Sequence, residues 1–165
     1  MKNKKYTNVS YYGVMLCLSL ILSYVDRILP LNIGIPGVKA GLANIVVLVM
    51  LFRDGPAKAA TLNLLRISLA SMMFSGWSGL IYSLSGGVFS FAAMLLFKKL
   101  GFSPSGISTA GGLMHNIGQL GAAMLLLGNS RLVYYLPMLM ISGALTGLIV
   151  GILGALILRH VEWTG

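Results

Sequence analysis

His115, Asn116 and Gln119 stand close together in "GLMHNIGQLG" (112–121). On a helix, His115 and Gln119 share a face because they are four residues apart, and Asn116 is turned from His115 by about 100°. Imidazole and amides can hydrogen-bond a ligand, and imidazole can also ligate a metal or carry a proton. A second polar pair, Asn63 and Arg66, lies three apart in "NLLRISLAS" (63–71), and "VKAGLANIV" (38–46) adds Lys39 and Asn44. Together these seven residues have the chemistry of a pocket for a small anion: cations for charge and amides for orientation. The competing use is a purely structural network between helices, worth about 0.6 kcal/mol per bond in a membrane.

Arg66 separates these two uses. Its guanidinium does not lose its proton in proteins. The chain has three acids, Asp26, Asp54 and Glu162, and each falls near the end of an expected helix or of the chain. None is expected at the depth of Arg66, which therefore needs carbonyls, amides, water or an anion from outside the chain. A charge at mid-membrane costs at least about 2.5 kcal/mol, and function is a common reason for one.

Enzyme chemistry finds little support. No G-x-x-x-x-G-K-[ST] phosphate loop is present, and no acid pair is spaced to hold Mg²⁺ on a diphosphate. His115 and His160 are far apart, no Ser-His-acid set falls at one depth, and the single Cys17 has no partner for a disulfide or a metal. No catalytic residue and no metal site is expected, and the sequence does not identify a cofactor; a haem-ligand role for His115 has no other support.

These side chains must be positioned by helices in a bilayer. Of 165 residues, only 9% are charged, and mean hydropathy is +0.89. Soluble domains carry about 25% charged residues. Each crossing takes about 20 residues, so there is room for about six. The sequence predicts an all-α, single-domain, multi-pass bundle with helices at 9–29, 38–52, 56–74, 77–97, 106–127 and 133–158. The second is short for a crossing and follows "PLNIGIPG" (30–37), which Pro30, Pro36 and two glycines keep from being regular helix. The basic, apolar beginning lacks a clear cleavage site and is taken as a retained first helix.

The net charge of +9 is explained by topology rather than by nucleic acid. Lys2, Lys4, Lys5, Arg53, Lys58, Lys98, Lys99 and Arg159 fall on one side; Arg27, Lys39 and Arg131 fall on the other. The positive-inside bias then puts both termini in the cytoplasm of a cell-membrane protein, with the 30–37 loop facing out. In the last helix Gly143, Gly147 and Gly151 recur every fourth residue, a stripe suited to close helix packing within the bundle or against another subunit.

"IPGVKAGLANIVVLVMLF" (35–52), "LNLLRISLASMMFSG" (62–76), "LSGGVFSF" (84–91) and "HNIGQLGAAMLLLG" (115–128) resemble the Gx transporter family, many of whose members are called heptaprenyl diphosphate synthase component I. The likeness runs over about residues 10 to 158. It carries two implications. One is similarity to substrate-binding S components of energy-coupling-factor transporters, six-helix proteins that bind a metabolite or vitamin outside and depend on a transmembrane coupling subunit and two ATPases. The other is a membrane accessory role beside a polyprenyl, quinone or flavin-linked electron-transfer system. S components commonly carry A-x-x-x-A in the first helix; here the nearest equivalents are Gly13/Cys17 and Ser19/Ser23.

Overall fold

The computed structural model describes residues 3–28 and 41–160, with side chains from residue 9 onward. Lys39 and the 30–37 loop lie outside the described residues. The described part is helical throughout: α1 (Asn3–Ile28), α2 (Ala43–Arg53), α3 (Pro56–Phe74), α4 (Gly76–Lys99), α5 (Pro104–Leu127), a 3-10 stretch (Ser130–Tyr135) and α6 (Leu136–His160).

Local sequence sets several boundaries. Gly55 turns the chain with φ of +92°, and Pro56 then opens α3, where its missing N–H is no loss. Ser103 caps α5 by accepting from Gly106 N at 3.3 Å, again with a proline next. Gly128 ends α5 in the left-handed conformation.

Among the described residues, three segments are long and apolar enough to cross a membrane: Val9–Ile28, Gly76–Lys99 and Ser130–His160. Two more helices, α3 and α5, have the length at 19 and 24 residues. They fall short on polarity, because Lys58, Asn63 and Arg66 interrupt one and His115, Asn116 and Gln119 the other. Large apolar side chains remain exposed in rows. On α6, Ile141, Leu145, Leu148, Ile152 and Leu156 face outward. Contiguous apolar surface of this extent marks contact with lipid or protein.

The sixth helix is different. At 11 residues α2 is about 16 Å long, half a hydrocarbon core. Ala43 and Ile45 to Leu51 are all buried, and a helix apolar on every side belongs inside a bundle. Val47, Leu48, Met50 and Leu51 pack with Ala59 and Leu62 of α3, Met94 of α4 and Ile107 of α5. Ile45 and Val49 pack with Val150 of α6. The expected start at residue 38 is replaced by Ala43 as the first helical residue.

Small residues let α5 approach both neighbours. The Gly143–Gly151 stripe lies against α5: a Cβ on Gly147 would fall 2.6 Å from Ser108 O, and one on Gly151 2.5 Å from Ser105 Cα. Backbones at this separation leave no space for a side chain, which is how membrane helices gain packing energy. Toward α4, Ser85 donates to Gly118 O at 2.7 Å.

Candidate functional site

Arg66 lies ten residues on from Pro56, and Asn44 nine residues back from Arg53, so both stand about 14 Å from the same end. The short α2 therefore begins at the depth of Arg66. Arg66 Nη2 donates to Asn63 Oδ1 at 2.8 Å and to Asn44 Oδ1 at 3.3 Å. The i,i+3 spacing on α3 makes the first bond possible; the half-depth start of α2 makes the second. Arg66 Nε is buried and has no hydrogen-bond partner.

Asp26 is the residue that sequence reasoning missed. No acid was expected near Arg66, yet α1 brings Asp26 beside the first turn of α2. Its carboxylate accepts from Leu42 N at 3.1 Å and Ala43 N at 3.4 Å, next in the chain to Asn44, which accepts from Arg66 Nη2. A carboxylate at a helix N-terminus satisfies orphan N–H groups and matches the helix dipole. The only advance signal was that the first residues of α2 lacked a capping side chain of their own; Leu42 stands at that position.

The amide and imidazole pair on α5 reaches the same level through two glycines of α4. A Cβ on Gly86 would lie 2.7 Å from Gln119 Cγ and 2.9 Å from His115 Cε1. A Cβ on Gly87 would meet the Ile67 side chain, with Asn63 Nδ2 3.8 Å away. The glycine pair thus stands between Asn63 on α3 and His115 with Gln119 on α5. Lacking side chains, the two glycines let His115 and Gln119 of α5 and Ile67 of α3 pack directly on the backbone of α4.

Asn116 goes elsewhere. It is buried on the opposite flank of α5, where Nδ2 donates to Leu139 O at 2.7 Å and meets Ser142 Oγ at 3.4 Å. The structure brings together Asn44, Asn63 and Arg66, sets His115 and Gln119 across Gly86 and Gly87, and turns Asn116 toward α6. Lys39 lies outside the described residues.

The two ends of the bundle differ in charge. One end holds Arg53, Lys58, Lys98, Lys99 and Arg159; the other holds Arg27 and Arg131. At the first, Tyr11 and Tyr12 donate to Asp54 at 3.1 and 3.0 Å, and Arg53 donates to Leu158 O at 3.1 Å. At the second, Tyr24, Trp77, Tyr134 and Tyr135 are exposed. On α1, Gly13 has open space around it and Cys17 is exposed, whereas Ser19 is buried with its hydroxyl donating to Leu16 O. Among the described residues, no three of His, Cys, Asp and Glu come together as a metal site requires.

A family model described as heptaprenyl diphosphate synthase component I matches residues 15–157. No curated protein and no solved structure matches the chain.

Proposed function

Because the chain belongs to the heptaprenyl diphosphate synthase component I family, we propose that it is a membrane subunit that acts with partner proteins and performs no chemistry alone. Its task is to bind a small anionic ligand from the outer side, as S components of transporters do. The observation that carries this reading is the buried Arg66 Nε without an acceptor, on a guanidinium oriented by two amides. Such a donor is costly to leave unmet, and a ligand oxygen would meet it.

In this reading the chain makes six passages of the bilayer, in one of which α2 covers only the inner half, and both termini lie in the cytoplasm. The cation-rich end, Arg53 to Arg159, is the inner one, and the exposed tyrosines and Trp77 mark the outer interface. Asn44, Asn63, His115 and Gln119 orient the ligand. Release to the inside requires movement driven by a coupling subunit and ATPases.

Native mass spectrometry of gently solubilised protein tests this. Wild type carries a small molecule that Arg66→Ala loses while its helicity is retained. A variant that keeps the same molecule at the same occupancy would falsify the pocket assignment.

The family's description favours a second reading, a membrane component of a prenyl-diphosphate synthase assembly or of a quinone- or flavin-linked system. Co-purification separates them. ATPases among the partners support transport; a prenyltransferase or flavoprotein supports the accessory role.

A further inference from the structure

Three helices carry the same pattern toward one end of the bundle. On α3, exposed Leu65 and Leu69 follow exposed Lys58. On α4, exposed Val88, Ala92 and Leu96 lead to exposed Lys99. On α6, exposed Leu145, Ile149, Ile152 and Leu156 lead to exposed Arg159. Steps of three, four or seven residues keep each set on one face of its helix. Each row therefore runs along the outside of the bundle and stops at a cation, and all three cations lie at the same end. From Leu145 to Leu156 the row on α6 is about 16 Å long. That is the depth of one leaflet, half of a hydrocarbon core about 30 Å thick.

The other two described cations at this end are engaged by backbone carbonyls. Arg53 donates to Leu158 O near the end of α6. Lys98 donates to Leu51 O near the end of α2 and lies over the Phe52 ring. Cations in these places complement helix C-termini. Lys58 lies beside the Tyr12 ring, which leaves its charge in place. Among the described residues the acid at this end is Asp54, whose carboxylate accepts from Tyr11 and Tyr12. Pairing inside the chain cannot change the sum of charge, so five cations against one acid leave this end positive. The side chains of Lys2, Lys4, Lys5 and Glu162 lie outside the described residues; in sequence they are three cations and one acid, and add to the same sign.

We infer that Lys58, Lys99 and Arg159 each seat the phosphate of an anionic phospholipid in the leaflet at this end, with an acyl chain along the apolar row that leads to the cation. The inference rests on the reading of the chain as a membrane bundle and not on any ligand at Arg66. Continuity of row and cation favours a lipid over a soluble acidic partner. A protein docking from water would meet the cations, but not rows that lie at hydrocarbon depth. A zwitterionic head group carries a cation of its own, which cancels the phosphate charge and meets a surface that is already positive. A head group of net negative charge supplies the charge that this end lacks.

Native mass spectrometry of the full chain in delipidated micelles gives the test. Phosphatidylglycerol and phosphatidylcholine with identical acyl chains are titrated in turn. Phosphatidylglycerol is expected to bind in three copies and at least about tenfold more tightly than phosphatidylcholine. Lys58→Gln, Lys99→Gln and Arg159→Gln are each expected to weaken one copy by about fivefold. Their melting temperatures in zwitterionic micelles should match the wild type, because all three side chains are exposed. Lys99→Arg and Arg159→Lys keep the charge and should keep the lipid. Arg131→Gln makes the same change of charge at the opposite end and should keep all three copies. Equal affinity for the two lipids overturns the inference. So does a loss of lipid in Arg131→Gln as large as that in Lys99→Gln, or a chain dimer that carries no lipid. The membrane reading fails separately, if the chain stays in the aqueous phase when a detergent phase separates.

Discussion

The side-chain amide of Asn116 on α5 donates to the backbone carbonyl of Leu139 on α6 across 2.7 Å. This bond ties two helices at the level where Gly112 and Gly143 bring their backbones together. Asn116→Leu is expected to destabilise the protein by about 0.6 to 1.7 kcal/mol. Denaturation in mixed micelles measures that. Occupancy of the co-purified small molecule should stay as in the wild type, because Asn116 faces away from Arg66. A drop in occupancy would place Asn116 in the pocket after all.

Gly86→Ala tests the other flank of α5. The added methyl meets Gln119 Cγ and His115 Cε1 at under 3 Å. Those side chains must shift, so ligand occupancy in native mass spectrometry is expected to fall at least tenfold, on the order of 1.4 kcal/mol. Unchanged occupancy would show that His115 and Gln119 take no part in binding.

Glycines on the two sides of the bundle should respond in opposite ways. Gly147→Val drives a branched side chain into Ser108 O and Thr109 Cα, so α5 and α6 separate and the melting temperature drops. Gly121 has nothing within 4 Å of the position a Cβ would take. Gly121→Ala is expected to leave stability unchanged or raise it by up to about 1 kcal/mol through helix propensity. Equal destabilisation by both changes would refute the assigned α5–α6 contact.

Asp26→Ala removes the acceptor for Leu42 N and Ala43 N, whereas Asp26→Asn retains an oxygen there. The alanine variant should be less stable than the asparagine variant by about 1 kcal/mol. Chemical denaturation of both proteins in one detergent gives the comparison, and equal stabilities would mean that the cap is not formed.

Helix identity was legible in the sequence because hydropathy and breakers act locally. Pro56 and Gly128 bound the helices expected at 56–74 and 106–127 at ends that the structure keeps, while α5 starts at Pro104 rather than at 106. The Asn63–Arg66 bond was legible for the same reason, since i,i+3 spacing fixes it within one helix. Asp26 was not. It is 40 residues from Arg66 in the chain, and its proximity depends on α2 starting at half depth, which in turn depends on a cap supplied by α1. The 100° offset of Asn116 showed that it leaves the His115 face, but not which helix it meets. The partner of the Gly143–Gly151 stripe was equally open, because small residues signal close approach without naming what approaches.

The short, largely buried α2 also bears on what the chain can do alone. Val47, Leu48, Met50 and Leu51 fill the axis of the bundle from the level of Asn44 to the Arg53 end. On the ligand-binding reading that half works as a stopper, and a molecule at Arg66 would meet a closed floor of methyl and thioether groups. Vesicles containing the chain alone should therefore hold an ion gradient as well as empty ones do. On the proposed transport reading, carriage across the membrane requires lifting or tilting one eleven-residue helix, held at its upper end by the Asp26 carboxylate of α1 and by Asn44 accepting from Arg66 of α3.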